Sequence, residues 1–384
     1  MNALCLHHHH RRISLPFRAT AAPTLKTRKG CHRNPPRASF GDDEEEEQGD
    51  ENKTPLSSLN SAIELRSKLQ EVALVAQTSP QNNWQDVFGD QTAFVYEPKS
   101  SSITWGFVHF LGGAVLGQYP QVCYDAFLSA VSERTGVTII ATPYELGTKH
   151  GEMAKKTRRA FERANRVVQE RNGLDAGENV LPVFYVGHSL GAKLHAVASF
   201  YDEESNDNSD SNSRSGSKQH FLVAFNNASA TDSVKILEKF AKELLSKREG
   251  GGGEAASSQF DAIFDRLVPF AEVAAKAAGL EFSPNAVETL DGVANGKFKS
   301  DKVTLLSFTN DELDQCSSLR EALADGGVRT NSVEIPGDHL SPVYLDLDKY
   351  AKMNPMMNRL SGVRIGDREA VERIANEMVK FLKS

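Results

Sequence analysis

Cysteine is scarce in this chain, and several other absences exclude whole classes of protein. The four cysteines, Cys5, Cys31, Cys123 and Cys316, are too few and too scattered for a disulfide framework or a C-x-x-C metal site. Apolar runs are short, and none reaches the roughly eighteen residues that an α-helical membrane span requires. An excess of basic residues is also lacking: the formal net charge is -7, which gives no support to nucleic-acid binding.

Acidic residues are absent from residues 1–40, which hold eight basic side chains. A basic, acid-free start that contains Ser and Thr but no unbroken apolar stretch is typical of an organelle transit peptide, with a disordered basic tail as the alternative. Residues 41–56 then carry a dense acidic run that is expected to form a disordered linker. The folded domain is therefore expected to span 57–384.

Short β-prone runs alternate with amphipathic stretches along the rest of the chain, and there is no internal repeat. Strands are predicted at 92–96, 103–110, 137–141, 180–186, 221–225, 303–308 and 331–335. Helices are predicted at 57–77, 124–133, 152–170, 190–201 and 368–382. Because strands that alternate with helices usually form a parallel sheet covered on both faces, the pattern predicts an α/β fold with a mostly parallel sheet.

Two stretches interrupt this alternation. Residues 202–218 are polar and of low complexity, which is typical of a disordered surface insertion. Residues 228–300 contain two amphipathic helical patterns, at 233–248 and 260–278, joined by a run of glycines. An inserted helical pair after a sheet strand is expected to form a lid.

The pentapeptide Gly187-His188-Ser189-Leu190-Gly191 matches the pattern G-x-S-x-G. It follows a predicted strand and opens a predicted helix, which is the context of a nucleophile on a sharp strand-to-helix turn. Such a turn places the Ser189 hydroxyl at a helix N-terminus, where developing negative charge is stabilised. The alternative is a strand-to-helix turn with a purely structural role.

A nucleophilic serine needs a histidine base, which in this arrangement follows later in the chain. Beyond the helix that follows the turn, the histidines are His220 and His339. His220 precedes its strand and so is expected at the amino edge of the sheet, away from Ser189. His339 follows the last predicted strand, and we therefore predict that it is the base.

The acid that orients the base is expected after the preceding strand. Asp311, Glu312 and Asp314 all follow the strand that ends at Phe308. We predict Asp311 as the acid and keep Asp314 as the alternate. An Asp in front of a helix is also a common N-cap, and the two roles are compatible for Asp311.

An oxyanion hole requires one N–H from the residue after the nucleophile and another from the loop after an early strand. Leu190 would supply the first. Gly112 and Gly113 fit the second because glycine allows the backbone to approach a substrate closely. Which amide within 111–114 points inward is not visible in the sequence.

Several other reactive side chains are assigned no catalytic part. Cys123 is interpreted as an ordinary helix-face or loop residue. His109 and His188 are interpreted as packing or loop residues, and no role is given to Lys193 and His195. No metal or organic cofactor is required by the predicted chemistry.

The motifs resemble the α/β-hydrolase superfamily. More narrowly, the stretches FVHFLGGAVLGQYPQVCYDAFL, TPYELGTKHGEMA and GHSLGAKLH resemble the plastid and cyanobacterial family called domain of unknown function 1350, from Thr92 to the C-terminus. The superfamily implies an esterase-like site with the following residues: nucleophile Ser189, acid Asp311, base His339, and oxyanion amides of Leu190, Gly112 and Gly113. One departure is that Phe110 and Leu111, rather than a histidine, precede the glycine pair.

Together these features predict a plastid serine hydrolase, in the stroma or on the thylakoid, that cleaves a carboxylic ester of a small molecule or lipid. A non-catalytic binding or scaffold protein with the same fold is one alternative. An acyltransferase or thioesterase that uses the same triad is another. No nucleic-acid partner and no transmembrane segment are expected, while peripheral contact with a membrane and the oligomeric state stay open.

Overall fold

The computed structural model describes residues 83–99, 104–174, 181–201, 218–229, 248–249, 281–351 and 364–384, together with residues 70 and 73. These residues belong to the compact unit Asn52–Ser384. The predicted transit peptide and acidic linker, nearly all of the helix at 57–77, and most of the two insertions lie outside the described residues. The boundaries of the transit peptide and of the acidic linker therefore stay predictions.

The core of the described part is an eight-stranded sheet with the order β1-β2-β4-β3-β5-β6-β8-β9. The first two strands run antiparallel to their neighbours, and every pair from β4 to β9 is parallel. Its strands are β1 Trp84–Asp86, β2 Phe94–Tyr96, β3 Phe107–Leu111, β4 Thr138–Ala141, β5 Val183–His188, β6 Lys218–Val223, β8 Lys302–Phe308 and β9 Thr330–Ile335.

A second sheet has three very short antiparallel strands in the order β10-β11-β7. They are β7 Arg248–Glu249, β10 Leu345–Asp346 and β11 Arg364–Ile365. The sequence pattern predicted neither this sheet nor β1, because two- and three-residue strands carry too little periodicity to be recognised.

Helices cover both faces of the large sheet. They are α1 Pro120–Cys123, α2 Asp125–Thr135, α3 His150–Arg171, α4 Leu190–Ser199, α5 Ala286–Ala294, α6 Cys316–Asp325, α7 Leu347–Ala351 and α8 Arg368–Leu382. Helices α2 and α8 pack on one face, and α3, α4, α5 and α6 pack on the other. The predicted α/β-hydrolase fold, a mostly parallel sheet with helices on both faces, is confirmed.

The helix ends follow ordinary capping chemistry. Gly136 ends α2 in a left-handed conformation with φ 77°, which glycine adopts without steric cost. Asp367 caps α8 by accepting from the N–H of Glu369. Asn285 and Glu288 form a reciprocal capping box at the start of α5.

Two predicted boundaries need correction. Lys218, assigned to the polar insertion, is the first residue of β6 and pairs with Val183. The end of the predicted lid belongs to the core layer: Val293 in α5 is fully buried against Ala192 and Leu222. No helix was predicted at 286–294, and these residues were included in the insertion because the next predicted strand begins only at Val303. The rest of the predicted lid, at 230–247 and 250–280, lies outside the described residues.

No helix within the described ranges has both the length and the apolar character needed to cross a bilayer.

Candidate active site

Ser189 stands on the tight turn between β5 and α4. Its backbone has φ 55° and ψ -119°, a conformation that residues other than glycine rarely adopt. The N–H of Ser189 donates to the carbonyl of Val223 at 2.9 Å, which ties the turn to the end of β6. This strained turn lifts the hydroxyl to the carboxyl edge of the sheet, as G-x-S-x-G predicts.

The two glycines of this motif are required by close packing. A Cβ at Gly187 would stand 2.6 Å from the backbone nitrogen of Ala192. A Cβ at Gly191 would stand 2.2 Å from the carbonyl oxygen of Leu111. Both distances are below any contact a real Cβ makes with backbone atoms, so only glycine allows the helix to begin this close to the sheet.

The structure brings Ser189, His339 and Asp311 together. The Nε2 atom of His339 lies 2.9 Å from Oγ of Ser189, and its Nδ1 atom lies 2.8 Å from Oδ2 of Asp311. Because a carboxylate only accepts, Nδ1 carries the ring proton, and Nε2 is the acceptor for the serine hydroxyl. The His339 side chain is 3% exposed and that of Asp311 is 0% exposed, so little water competes for these bonds.

The two candidate acids have different neighbours. Asp311 uses Oδ2 for His339 and Oδ1 to accept from the N–H of Leu313, which fixes its rotamer. Asp314 instead accepts from the N–H of Cys316 at the start of α6. Asp311 lies five residues before Cys316, the first residue of α6, so it does not take the N-cap position that the sequence allowed for it; Gln315 holds that position.

The N–H groups that were predicted to stabilise the oxyanion, those of Leu190 and of the Gly112-Gly113 pair, have different hydrogen-bond partners. Leu190 is the first residue of α4, where N–H groups have no acceptor within the helix and the helix dipole favours negative charge. The N–H of Gly113 donates to the phenolic oxygen of Tyr124 at 2.8 Å. That bond uses the only hydrogen of the Gly113 amide, one of the amides that were predicted to stabilise the oxyanion. Gly112 accepts a bond from the Tyr144 hydroxyl at its carbonyl oxygen.

The loop that follows β3 nevertheless lies directly against the serine. A Cβ at Gly113 would be 3.3 Å from Cβ of Ser189. Two residues on, Val115 has φ 61° and ψ -60°, and the N–H of Leu116 donates to the carbonyl of Ala114 at 2.6 Å. This is a γ-turn with positive φ at a β-branched residue, a strained arrangement of the kind that gathers at functional sites.

His188 is the residue near the site that sequence reasoning missed. It was interpreted as a packing or loop residue, yet both of its ring nitrogens are engaged. Its Nδ1 lies 2.9 Å from the Tyr124 hydroxyl, and its Nε2 lies 2.9 Å from the backbone carbonyl of His339. Burial, and then the nearby His339, hold the pKa of His188 well below its ordinary value, so the ring is neutral.

The other reactive side chains take no part in the hydrogen bonds that join Ser189, His339 and Asp311. His109, His195 and His220 pack together on the α3 and α4 face of the sheet. Cys123 is fully buried, and burial raises the pKa of its thiol. Lys193 is buried on α4, and burial lowers the pKa of its ammonium group to about 7. Within the described ranges, no group of three or more His, Cys, Asp or Glu side chains is arranged to hold a metal ion.

A family model matches residues 83–356, and its description is Protein of unknown function (DUF1350). The chain belongs to this family. The resemblance found in the sequence is thereby confirmed, and the family brings no reaction with it. No curated protein matches the chain.

Solved structures of similar overall architecture include esterases at low identity. An esterase from the archaeon Pyrobaculum calidifontis is 14% identical, with a TM-score of 0.45 over 84% of this chain and 93% of that one. The Francisella virulence factor BioJ is 13% identical, with a TM-score of 0.46 over 85% and 94%. Esterase B from Lactobacillus rhamnosis is 14% identical, with a TM-score of 0.45 over 85% and 96%. A shared fold does not transfer a substrate.

Proposed function

We propose that this protein is a serine hydrolase that cleaves carboxylic esters through Ser189, His339 and Asp311. The observation that carries the proposal is the pair of hydrogen bonds on His339, 2.9 Å to the Ser189 hydroxyl and 2.8 Å to the Asp311 carboxylate. Nucleophile, base and orienting acid stand in the order and at the distances that this chemistry needs. Together with the strained turn, they favour catalysis over a purely structural role.

The chemistry runs in two halves. Ser189 Oγ attacks the acyl carbonyl carbon while Nε2 of His339 takes its proton, and Asp311 stabilises the imidazolium that forms. The carbonyl oxygen becomes an oxyanion that the Leu190 N–H stabilises, a contribution of about 3 kcal/mol per donor in comparable sites. His339 then returns the proton to the departing alcohol. Water, deprotonated by the same imidazole, attacks the acyl-enzyme and releases the acid and the free serine.

The finer part of the proposal concerns the acyl group and the compartment. The amphipathic patterns at 233–248 and 260–278 favour a substrate with an acyl chain or another apolar portion. The basic, acid-free residues 1–40 favour import into plastids. We expect KM to fall as the acyl chain of a test ester lengthens, and we expect residues 1–40 to carry a fused fluorescent protein into plastids.

The direct test is turnover of p-nitrophenyl esters by the purified protein. In Ser189→Ala, kcat should fall about 10⁶-fold, to the detection limit, because the nucleophile is lost. The matched control is Ser199→Ala, at the end of the same helix, whose hydroxyl donates only to the carbonyl of Ala196. Hydrolysis that survives in Ser189→Ala, or that falls equally in both variants, would contradict the proposal.

A further inference from the structure

A chain of three hydrogen bonds runs behind Ser189, from the loop after β3 to the loop after β9. The N–H of Gly113 donates to the Tyr124 oxygen at 2.8 Å. The Tyr124 hydroxyl and Nδ1 of His188 are 2.9 Å apart, and Nε2 of His188 is 2.9 Å from the carbonyl oxygen of His339. Tyr124 is 0% exposed and His188 is 2% exposed, so the chain is sealed from water.

Donor and acceptor chemistry fixes the direction of every bond in this chain. The carbonyl of His339 can only accept, so Nε2 of His188 must carry the ring hydrogen. Because the buried ring is neutral, its Nδ1 then has a free lone pair and accepts from the hydroxyl of Tyr124. The Tyr124 oxygen is left to accept from Gly113. Each group therefore has one assignment, and replacing any member leaves a buried neighbour without a partner.

The two ends of the chain lie in two loops that the proposed chemistry uses. One end holds Gly113, whose missing Cβ lets the loop lie against Ser189. The other end holds the main chain of His339, whose ring must meet the serine hydroxyl. Asp311 fixes only the ring of that residue, so a separate contact is needed to fix its backbone.

We infer that Tyr124 and His188 are positioning residues. They fix the main chain of His339 and the Gly113 loop in place relative to the Ser189 hydroxyl. This inference rests on the proposed hydrolase function. The two residues do not touch the substrate. They act through the backbone of the base, and Tyr124 also directs the Gly113 N–H away from the acyl oxygen. The oxyanion is then left to Leu190 and to the other amides of 111–114.

The test compares variants that break the chain with one that preserves it. In His188→Leu, kcat on a p-nitrophenyl ester should fall about 10- to 100-fold with KM within about twofold of the parent, because misplacement of a catalytic group by about 1 Å has effects of this size. His188→Gln should recover most of this loss, since its amide both donates and accepts. Tyr124→Phe, which removes a single oxygen, should lower kcat about 10-fold.

Tyr185→Phe is the matched control. Its hydroxyl is also engaged, by the guanidinium of Arg158, but on the opposite face of the sheet. A general loss of packing would lower the activity of Tyr185→Phe and Tyr124→Phe alike, whereas a positioning role affects only Tyr124→Phe. Parental kcat in both His188→Leu and Tyr124→Phe, or no recovery in His188→Gln, would overturn the inference.

A second measurement does not depend on turnover. The Nδ1 proton of His339 lies in a short hydrogen bond to the Asp311 carboxylate and should therefore give a strongly downfield proton NMR signal. We expect this signal to shift or broaden in His188→Leu and Tyr124→Phe and to stay unchanged in Tyr185→Phe. If the parent protein hydrolyses no ester, the proposed function fails on its own. The NMR signal then decides the inference: a shift confined to the two variants supports it, and an unchanged signal overturns it.

Discussion

Two sets of buried histidines, one in the candidate site at the carboxyl edge of the sheet and one on the face covered by α3 and α4, differ in how their ring nitrogens are bonded. In the candidate site, both nitrogens of His188 and both of His339 have hydrogen-bond partners. On the face covered by α3 and α4, the described partners are Thr142 for His109, the Val186 carbonyl for His195 and Ser300 for His220, and these rings otherwise contact aromatic side chains. All five rings are almost fully buried, so burial does not separate them. The hydrogen-bond pattern does.

The second set is held together by ring contacts. His109 stacks on Phe161 with ring centroids 4.4 Å apart and meets His195 edge-on at 4.8 Å. His220 stacks on Tyr185 at 4.9 Å. Burial lowers the pKa of all three histidines, that of His195 to about 3. These rings are therefore neutral aromatic packing groups, whereas the rings of the candidate site are directed donors and acceptors.

The largest expected difference between the sets is in catalysis. His339→Gln should lower kcat about 10⁶-fold, since loss of the base is nearly as severe as loss of the whole triad. His220→Gln should change kcat by less than a few-fold, because His220 lies at the start of β6 and contacts Ser300. Steady-state hydrolysis of a p-nitrophenyl ester measures both. Comparable losses of kcat in the two variants would show that the two sets of histidines do not differ in function.

The carboxylate behind His339 should matter for catalysis in the same selective way. In Asp311→Asn, kcat should fall about 10⁴-fold, because an amide no longer stabilises the imidazolium and favours the wrong tautomer. In Asp314→Asn, kcat should stay near the parent value. Truncation in Asp314→Ala should lower the free energy of unfolding by about 1 kcal/mol, as expected for loss of one side-chain hydrogen bond to the backbone.

Ester hydrolysis and urea unfolding of these three variants separate the roles. A large loss of activity in Asp314→Asn, with little change in Asp311→Asn, would show that the other carboxylate orients the base.

Both sets of histidines should make the free energy of unfolding fall as the pH is lowered. The native rings of His195 and His188 are neutral, whereas the unfolded rings take up a proton below their ordinary pKa of 6.5. The unfolded state therefore binds more protons, and the free energy of unfolding falls as the pH falls from about 6.5 towards 3. Each such ring contributes a slope of about 1.4 kcal/mol per pH unit in this window. Above pH 6.5 this contribution to stability is fully present.

In His195→Phe and in His188→Gln, the free energy of unfolding should depend less steeply on pH, by about the contribution of one histidine ring. The guanidinium of Arg158 also lowers the pKa of His195, so the slope is not due to burial alone. Urea unfolding at several pH values between 4 and 7 measures it. Neither variant should move the NMR signal of the His339 Nδ1 proton, because His188→Gln keeps a donor and an acceptor in the hydrogen-bond chain and His195 packs beside His109 instead. An unchanged slope in both variants would mean that these rings already carry protons in the native protein.

Much of this architecture is visible in the sequence, for physical reasons. The strands β4, β8 and β9 were predicted to within one residue because buried parallel strands are continuous apolar or β-branched runs. Ser189 was found because its tight turn demands glycine on both sides. His339 followed from the chain order of the fold and from its place after the last parallel strand.

The remainder of the site depends on contacts between distant residues. Asp311 and Asp314 both follow β8, and only the path of the loop decides which carboxylate faces His339. Tyr124 and His188 are 64 positions apart, and His188 and the carbonyl it binds are 151 apart. A histidine beside the nucleophile was the one available signal. Its partners are a backbone carbonyl and a phenol, and neither forms a sequence motif from which the contact could be predicted.

The most direct test of the account is covalent labelling with a fluorophosphonate, which reacts with an activated serine and requires no knowledge of the substrate. We predict one adduct per chain, placed on Ser189 by peptide mapping, absent in Ser189→Ala and formed far more slowly in His339→Gln. An unlabelled parent protein, or a label at another residue that persists in Ser189→Ala, would contradict the assignment of Ser189 as the nucleophile.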